Sequence, residues 1–152
     1  EKKVQLAPQQ REAVMLAARE KVLVVTGQPG TGKSTLLLAL MALFDTAKLD
    51  TVLAAPTGRA AKRMTETTSR GASTIHRLLE YRPGVGFTKK AESPLAANVI
   101  IVDEFSMVDL PLADHLVQAI DLGARVVIAE EEGCADKGKK ENCDGNGGCG
   151  CH

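Results

Sequence analysis

The fold of this chain is decided by residues 22–38, which read VLVVTGQPGTGKSTLLL from Val22 to Leu38. The first five residues form an apolar run of strand length, which is typical of a strand covered by helices on both faces. The last residues begin an apolar helical pattern. Between the two, residues 27–34 match G-x-x-x-x-G-K-[ST] at every position, where a strand passes through a glycine-rich loop into a helix.

The glycine-rich loop has the composition needed to bind phosphate. Its glycines permit backbone turns and a close approach that a β-carbon would block. The amide groups of the loop would point at a phosphate chain, helped by the positive end of the following helix. Lys33 would reach the β- and γ-phosphates, and the Ser34 hydroxyl would be a ligand of Mg²⁺. The predicted nucleotide-binding residues are Gly27, Pro29, Gly30, Thr31, Gly32, Lys33, Ser34 and Thr35.

A pair of carboxylates follows a second apolar run, because residues 99–104 read VIIVDE. The carboxyl end of a strand in a parallel sheet lies at the edge where ligands bind. Asp103 would hold the hydration shell of Mg²⁺, and Glu104 would orient and deprotonate the attacking water. Taken alone, the carboxylates could be a solvated acid pair, and the loop a glycine-rich turn with an incidental lysine. Together, they predict a nucleoside triphosphatase site in which Lys33 and Glu104 are catalytic.

Strand and helix patterns alternate along the first 129 residues. Apolar runs predict strands, and longer patterns with apolar residues three or four apart predict helices. This alternation predicts an α/β fold with a parallel sheet flanked by helices. The predicted strands cover residues 22–26, 51–55, 99–102 and 125–128, and the predicted helices cover residues 8–20, 33–44, 58–68 and 109–121. Residues 82–97 are interpreted as a loop or hairpin excursion.

The composition narrows the possible classes of protein. The 152 residues are 44% hydrophobic and contain no run of about 18 apolar residues, so we expect no membrane span and a cytoplasmic location. Aromatic residues make up 3% and tryptophan is absent, which argues against an aromatic platform for stacking single-stranded bases. The net charge of zero combines +3 for residues 1–129 (16 Lys+Arg, 13 Asp+Glu) with −3 for residues 130–152 (3 and 6).

Residues 130–152 differ from the rest of the chain, and we predict a P-loop ATPase domain over residues 1–129 followed by this acidic tail. The tail contains 6 of the 14 glycines and all four cysteines, and it has no strand or helix periodicity. It is expected to be disordered unless something binds it. The irregular cysteine spacing argues against a zinc module, although a metal-binding or thiol-reactive tail stays open. The abrupt change also fits a truncated gene, a shifted reading frame or a fusion.

Four segments, in this order and spacing, resemble motifs of superfamily 1 helicases. Residues 6–14 (LAPQQREAV) are similar to the glutamine motif, and residues 55–63 (APTGRAAKR) are similar to motif Ia. Residues 73–79 (STIHRLL) resemble the Thr-Ile-His segment, and residues 103–109 (DEFSMVD) resemble motif II. The chain is therefore identified, over about residues 4–128, with the amino-terminal RecA-like ATPase lobe of RecD-like DNA helicases, the exodeoxyribonuclease V alpha subunit family.

This resemblance implies ATP-driven 5′→3′ movement on single-stranded DNA, in DNA repair and recombination. Family members hold ATP between two RecA-like lobes and DNA across the top, and Gln10 matches the position that reads adenine. The eight Lys and Arg residues between 58 and 90 form a basic stretch suited to phosphate contacts, although they could equally be a solvated surface. The implied DNA-binding residues are Pro56, Thr57, Arg59, Thr74 and His76.

The chain departs from the family after its fourth predicted strand. The family continues with Gly-Asp-x-x-Gln-Leu-Pro, whereas residues 129–134 read AEEEGC, without the γ-phosphate-sensing glutamine, and we expect no second lobe to follow. A second RecA-like lobe or a partner subunit would then be needed, and the isolated chain would bind nucleotide weakly and hydrolyse it slowly. The alternative function is a nucleotide-gated binding module for single-stranded DNA or protein. A small-molecule kinase is disfavoured because residues 58–98 show no substrate lid.

Overall fold

The structure, a computed structural model, describes residues 6–27 and 32–131. Three predicted nucleotide-binding residues, Pro29, Gly30 and Thr31, lie outside the described residues, and so do the cysteines of the predicted tail. Within the described ranges, no helix has the length and apolar character required to span a lipid bilayer.

Five strands form one parallel sheet, which confirms the predicted fold class. The order across this sheet is β1-β7-β6-β2-β3, and β4 and β5 form a separate antiparallel hairpin that begins one residue before the predicted excursion. The strands are β1 (Val22–Gly27), β2 (Thr51–Ala55), β3 (Ala72–Thr74), β4 (Tyr81–Arg82), β5 (Gly86–Phe87), β6 (Val99–Asp103) and β7 (Arg125–Glu131).

The four predicted helices are confirmed to within two residues at each end. Proline in the first turn, whose missing N–H is not needed there, begins two of them. The helices are α1 (Pro8–Arg19), α2 (Lys33–Thr46), α3 (Gly58–Thr68), α4 (Ile75–Leu78) and α5 (Leu110–Ala119), and a 3₁₀ turn spans Phe105–Met107.

The hydrophobic core has two layers because the central strands are covered on both faces. Along β6, Val99 and Ile101 pack into one layer with residues of α1, α2 and α3. The alternate residues, Ile100 and Val102, pack into the other layer with residues of α4 and α5. All four side chains are fully buried, which explains why β6 has no polar alternation. The carboxyl end of this rigid strand therefore gives Asp103 a fixed position.

Two predictions about the strands need correction. The expectation that β1 is covered on both faces is wrong, because Val22 and Val24 are 62% and 57% exposed. In the described part of the chain, β1 lies at the edge of the sheet and pairs with β7 alone, and the α4–α5 layer packs over the central strands instead. The strand predicted at 125–128 continues to Glu131, and neither β3 nor α4 was predicted.

The amino terminus of α5 offers a test of the local packing. Asp109 is the N-cap of α5, and its Oδ1 accepts a hydrogen bond of 2.8 Å from the Leu112 N–H. Replacing Asp109 with alanine is expected to lower the free energy of unfolding by about 1 kcal/mol, because this N–H loses its acceptor. Asp109→Asn keeps an acceptor and should stay close to wild type. Urea denaturation of the two variants measures the difference, and equal losses would contradict the role of the cap.

Candidate active site

The glycine-rich loop joins β1 to α2, and the described part of this connection resumes at Gly32. Gly32 is the N-cap of α2 and has a φ of 88°, in the left-handed region that favours glycine. A β-carbon at this position would lie 2.6 Å from Nε2 of Gln10. Any other residue would be strained there, so the glycine fixes the turn that starts α2 at Lys33. Thr35 is half-buried in the first turn of the same helix, and Gly27 ends β1.

Lys33 and Asp103 are in direct contact across the sheet edge. The Nζ atom of Lys33 lies 2.8 Å from Oδ1 of Asp103, and both side chains are 15% exposed. β6 brings Asp103 to this position from 70 residues away in the sequence. The two motifs singled out in the sequence therefore converge on one partly buried ion pair. Because water is largely excluded, such a pair is screened less by salt than a surface pair.

Glu104 follows Asp103 in an unusual backbone conformation. Its φ is 54° and its ψ is 45°, which places a non-glycine residue in the left-handed region. Two acceptors hold its backbone N–H, the carbonyl oxygen of Ala129 and Oδ1 of Asp103, each at 3.0 Å. Its carboxylate lies 3.4 Å from Nη1 of Arg63 on α3. Sparsely populated backbone conformations of this kind are concentrated at functional sites.

A cavity of about 90 Å³ brings the predicted phosphate and metal residues together. Ser34 is exposed in the first turn of α2, and its hydroxyl and the carboxylate of Asp103 supply the oxygen donors that Mg²⁺ prefers. This donor set fits Mg²⁺, which usually keeps several waters and takes few protein ligands. The cavity is lined by Lys33, Ser34, Leu37, Arg63, Met64, Thr67, Thr68, Asp103 and Glu104.

A larger cleft, of about 370 Å³, lies between α1 and β1, beside the described ends of the glycine-rich loop. Gln10 lines it and bridges two elements, since its Oε1 accepts a hydrogen bond from the Ala7 N–H (3.0 Å) while its Nε2 donates to the Gly32 carbonyl (3.2 Å). Gly27, Gly32 and Lys33 line the same cleft. The volume is large enough for part of a nucleotide, and Gln10 stands beside the start of α2.

The predicted DNA-binding residues lie at or just after the carboxyl ends of β2 and β3. Pro56 and Thr57 are half-buried after β2, and Thr57 is the N-cap of α3, accepting a 3.2 Å hydrogen bond from the Ala60 N–H. Arg59 is exposed in the first turn of α3. β2 and β3 are parallel neighbours, and Ala55 is in register with Thr74. This set of residues therefore lies at the same edge of the sheet as Lys33 and Asp103.

The β3 side of this edge ends in a short helix. Thr74 is the N-cap of α4 and accepts a 3.3 Å hydrogen bond from the Arg77 N–H. His76 is exposed, and its ring lies 5.9 Å from Tyr81 and 5.8 Å from Phe87 between centroids. His115, on α5, is half-buried with its ring 4.5 Å from Phe87. This aromatic cluster was missed, because its members are dispersed in the sequence.

Five of the eight Lys and Arg residues between residues 58 and 90 form salt bridges with acidic side chains. The pairs are Lys62 with Glu66, Arg63 with Glu104, Arg70 with Asp45, Lys89 with Glu80 and Lys90 with Glu92. At the surface pair, the hydrogen bond to Glu92 raises the pKa of Lys90 and lowers that of Glu92. Within the described residues, three of the eight have no salt bridge: Arg59, Arg77 and Arg82.

Two side chains near Glu104 were not recognised as part of the site. Arg63 was counted only as one of the basic residues, and Glu130 was assigned to the tail. In the structure Glu130 extends β7, and its Oε2 accepts a 2.6 Å hydrogen bond from the Ser106 N–H in the 3₁₀ turn after Glu104. The position of Glu130 directly after an apolar strand was the available signal.

Comparison with known proteins identifies the family. A profile of the AAA domain family matches residues 10–129, which contain every residue that the sequence predicts for the ATP and DNA sites. The chain belongs to this family. Within it, the predicted resemblance to RecD-like helicases is confirmed by the curated relatives.

The relatives of this AAA domain are named as helicases or helicase subunits. The chain is 42% identical over 123 residues to the "ATP-dependent RecD2 DNA helicase" of Deinococcus radiodurans, which covers 81% of this chain and 17% of that protein. It is 39% identical over 143 residues to the "RecBCD enzyme subunit RecD" of Mycobacterium tuberculosis, covering 79% of this chain and 25% of that protein. The chain therefore spans about a quarter or less of the length of these relatives.

Solved structures share the fold of this AAA domain. The Pif1 protein of a Bacteroides species, crystallised with ADP-AlF4, matches with a TM-score of 0.63 at 24% identity, over 84% of this chain and 32% of that one. The Pif1 helicase of Candida albicans matches with a TM-score of 0.57 at 25% identity, and this match also covers 84% of this chain and 32% of that one. The parallel sheet and its flanking helices are thus found in known helicase structures.

Proposed function

We propose that this chain is the ATP-binding and hydrolysing lobe of a helicase that moves 5′→3′ on single-stranded DNA, in the cytoplasm, during DNA repair and recombination. The observation that supports this most is the 2.8 Å contact between Lys33 and Asp103, with Glu104 beside them. A lysine after a glycine-rich loop and a carboxylate at the end of another strand of the same sheet are the parts that phosphoryl transfer requires. The names of the relatives support the choice of a helicase among triphosphatases.

In the proposed ATP complex, each side chain has one task. Gln10 contacts the adenine end in the cleft between α1 and β1, and the loop amides with Lys33 bind the phosphates. The Ser34 hydroxyl and the Asp103 carboxylate would hold Mg²⁺, which would neutralise negative charge on the phosphates. The loop residues Pro29, Gly30 and Thr31 and the helix residue Thr35 belong to the same proposed set.

In the proposed hydrolysis step, Glu104 accepts a proton from the attacking water. The water oxygen forms a bond to the γ-phosphorus while the bond from the γ-phosphorus to the bridging β-phosphate oxygen breaks, so that ADP and phosphate are released. Lys33 stabilises the negative charge that develops on the phosphate oxygens. The carboxylate of Glu104 is suited to this task because it lines the same small cavity as Lys33 and Ser34.

We propose that single-stranded DNA crosses the carboxyl ends of β2 and β3, at Pro56, Thr57, Arg59, Thr74 and His76. Arg59 is the most informative of these, since it is exposed and no salt bridge engages it within the described residues. We expect Arg59→Ala to weaken binding of an oligonucleotide several-fold and to reduce the salt dependence by roughly one phosphate contact. Fluorescence anisotropy over a salt series measures both, and Lys62→Ala is the matched control, since Lys62 already pairs with Glu66. Equal effects of the two substitutions would contradict a specific role for Arg59.

We also propose that a second RecA-like lobe or a partner subunit completes the enzyme. The relatives are several times longer than the matched segment, which supports this. In comparable systems an arginine finger supplied from outside the phosphate loop is worth about 10³–10⁵ in rate. The 152-residue chain is therefore expected to bind ATP weakly, to hydrolyse it slowly and not to unwind DNA. The division into a lobe ending near residue 129 and a separate tail stays a prediction.

The proposed function is tested by measuring ATP binding and turnover with the 152-residue chain. A fluorescent ATP analogue should bind in the presence of Mg²⁺ and be displaced by ATP, and slow release of phosphate should be detectable in single-turnover reactions. No displaceable binding by the folded chain at millimolar ATP would overturn the proposal. Tight, ATP-dependent DNA binding without hydrolysis would favour the nucleotide-gated binding module. Fast, DNA-stimulated turnover would contradict the need for a second lobe.

A further inference from the structure

We infer that Arg63 is a positioning residue for hydrolysis, which holds the carboxylate of Glu104 at the wall of the phosphate-side cavity. This inference rests on the proposed function, since it assigns a role within the same ATP site. Arg63 lies on α3, outside both the glycine-rich loop and the strand that carries the carboxylates. It is not among the residues assigned above to ATP, Mg²⁺ or DNA.

The backbone and the side chain of Glu104 are held from different directions. The backbone N–H is fixed by the carbonyl of Ala129 and by the carboxylate of Asp103, at 3.0 Å each. These bonds set where the side chain begins, but not where its carboxylate points. Among the described residues, Arg63 supplies the salt bridge to that carboxylate, with Nη1 3.4 Å from Oε1. Arg63 is therefore the group that selects the orientation of the proposed general base.

The two side chains of the salt bridge between Arg63 and Glu104 differ in their exposure to solvent. The side chain of Glu104 is 22% exposed, whereas that of Arg63 is 61% exposed. The guanidinium thus reaches from the surface of α3 to a carboxylate at the cavity wall. Both residues line the cavity of about 90 Å³ together with Lys33 and Ser34. An arginine is suited to this task because its charge is permanent and its planar group restrains a carboxylate in direction as well as distance.

The position of Arg63 on α3 links hydrolysis to the proposed DNA surface. Arg59 and Arg63 are four residues apart on one helix, so they lie on the same face, one turn from each other. Arg59 stands at the end of α3 that follows β2, and Arg63 contacts Glu104. A displacement of α3 by DNA would therefore move the group that orients Glu104. A single contact of 3.4 Å is long for a charged hydrogen bond, which makes it easy to rearrange.

The test compares three variants of the 152-residue chain in single-turnover ATP hydrolysis. Arg63→Gln removes the charge, Arg63→Lys retains it, and Lys62→Gln removes the neighbouring charge from a side chain that is 79% exposed. We expect Arg63→Gln to lower the hydrolysis rate constant about tenfold, because misplacing a reacting group can cost up to about 10²-fold. The dissociation constant for ATP should stay within about twofold. Arg63→Lys should recover much of the rate, and Lys62→Gln should match wild type.

A double variant that combines Arg63→Gln with Glu104→Gln tests whether Arg63 acts through Glu104. If Arg63 acts through Glu104, the double variant should be no slower than Glu104→Gln alone, because effects within one unit are not additive. An unchanged rate constant in Arg63→Gln would overturn the inference, as would a faster one. Weaker binding to single-stranded DNA with an unchanged hydrolysis rate would overturn it in favour of a DNA contact. A wild-type chain that binds no ATP would instead overturn the proposed function itself.

Discussion

Replacing Lys33 with alanine is expected to weaken ATP binding by at least about tenfold and to lower the hydrolysis rate by about 10²–10³-fold. The first effect follows from the loss of a charge-assisted contact to phosphate, which is worth about 1.5–3 kcal/mol. The second follows because a preorganised positive group at the transferring phosphate is removed from a partly buried site. Lys33 is 15% exposed, so water can replace its ammonium group only in part.

The loss of Lys33 also changes the remaining half of the ion pair. Asp103, equally buried, would keep its hydrogen bond from the Glu104 N–H but lose the lysine at 2.8 Å. Titration with a fluorescent ATP analogue and a single-turnover assay measure the two expected effects. Lys62→Ala, an exposed lysine on α3, is the control for the loss of a positive charge. An Lys33→Ala chain that binds ATP as the wild type does would show that the glycine-rich turn is not a phosphate site.

Replacing Glu104 with glutamine is expected to reduce hydrolysis by about 10²–10⁴-fold while ATP binding stays within about threefold of wild type. Glutamine has nearly the same shape as glutamate but cannot accept a proton from water at neutral pH. The bonds that hold the backbone at position 104 use its N–H and its carbonyl oxygen, which accepts from the Met107 N–H, and not its side chain. The left-handed turn after β6 should therefore persist. The Glu104→Gln variant should therefore retain ATP binding while it loses most of its ATP hydrolysis.

The matched control for Glu104→Gln is Glu66→Gln, which removes an exposed carboxylate from α3. Rate constants from single-turnover hydrolysis and dissociation constants from analogue binding are compared for both variants. Hydrolysis at the wild-type rate in Glu104→Gln would remove this residue from the proposed reaction. The same variant, trapped with ATP, also reports whether single-stranded DNA binds in the ATP-bound form, which separates the ATPase from the nucleotide-gated binding module.

Much of the fold was predictable because its signals are local. β2 and β6 are buried on both faces or nearly so, and this burial is visible as uninterrupted apolar runs. The start of α5 was predictable from Asp109, because an N-cap acts on amides only three residues away. β3 was missed because its three residues, Ala72–Thr74, become a strand through pairing with β2 and not through their own pattern.

The exposed face of β1 was mispredicted for a related reason. Residues 22–26 have the same apolar pattern as a central strand, but their position at the edge of the described sheet depends on pairing with β7. In the site, the contact of Lys33 with Asp103 was foreseeable, since a phosphate loop and a strand end converge at one edge of a parallel sheet. The contacts of Arg63 with Glu104 and of Glu130 with Ser106 depend on how α3 and β7 are placed, which no local pattern specifies.

The pairing of β1 has a consequence for how the chain folds. Val22 lies opposite Val126, and within the described residues β7 is the partner that β1 has. During synthesis, β1 therefore leaves the ribosome before β7 and lacks this partner until the last described strand has emerged. Closing such a long loop is slow and leaves an apolar strand exposed to other chains in the meantime. The strand that leads into the glycine-rich loop therefore joins the sheet only after β7 has been made. The site can assemble only when nearly all of the described chain has been synthesised.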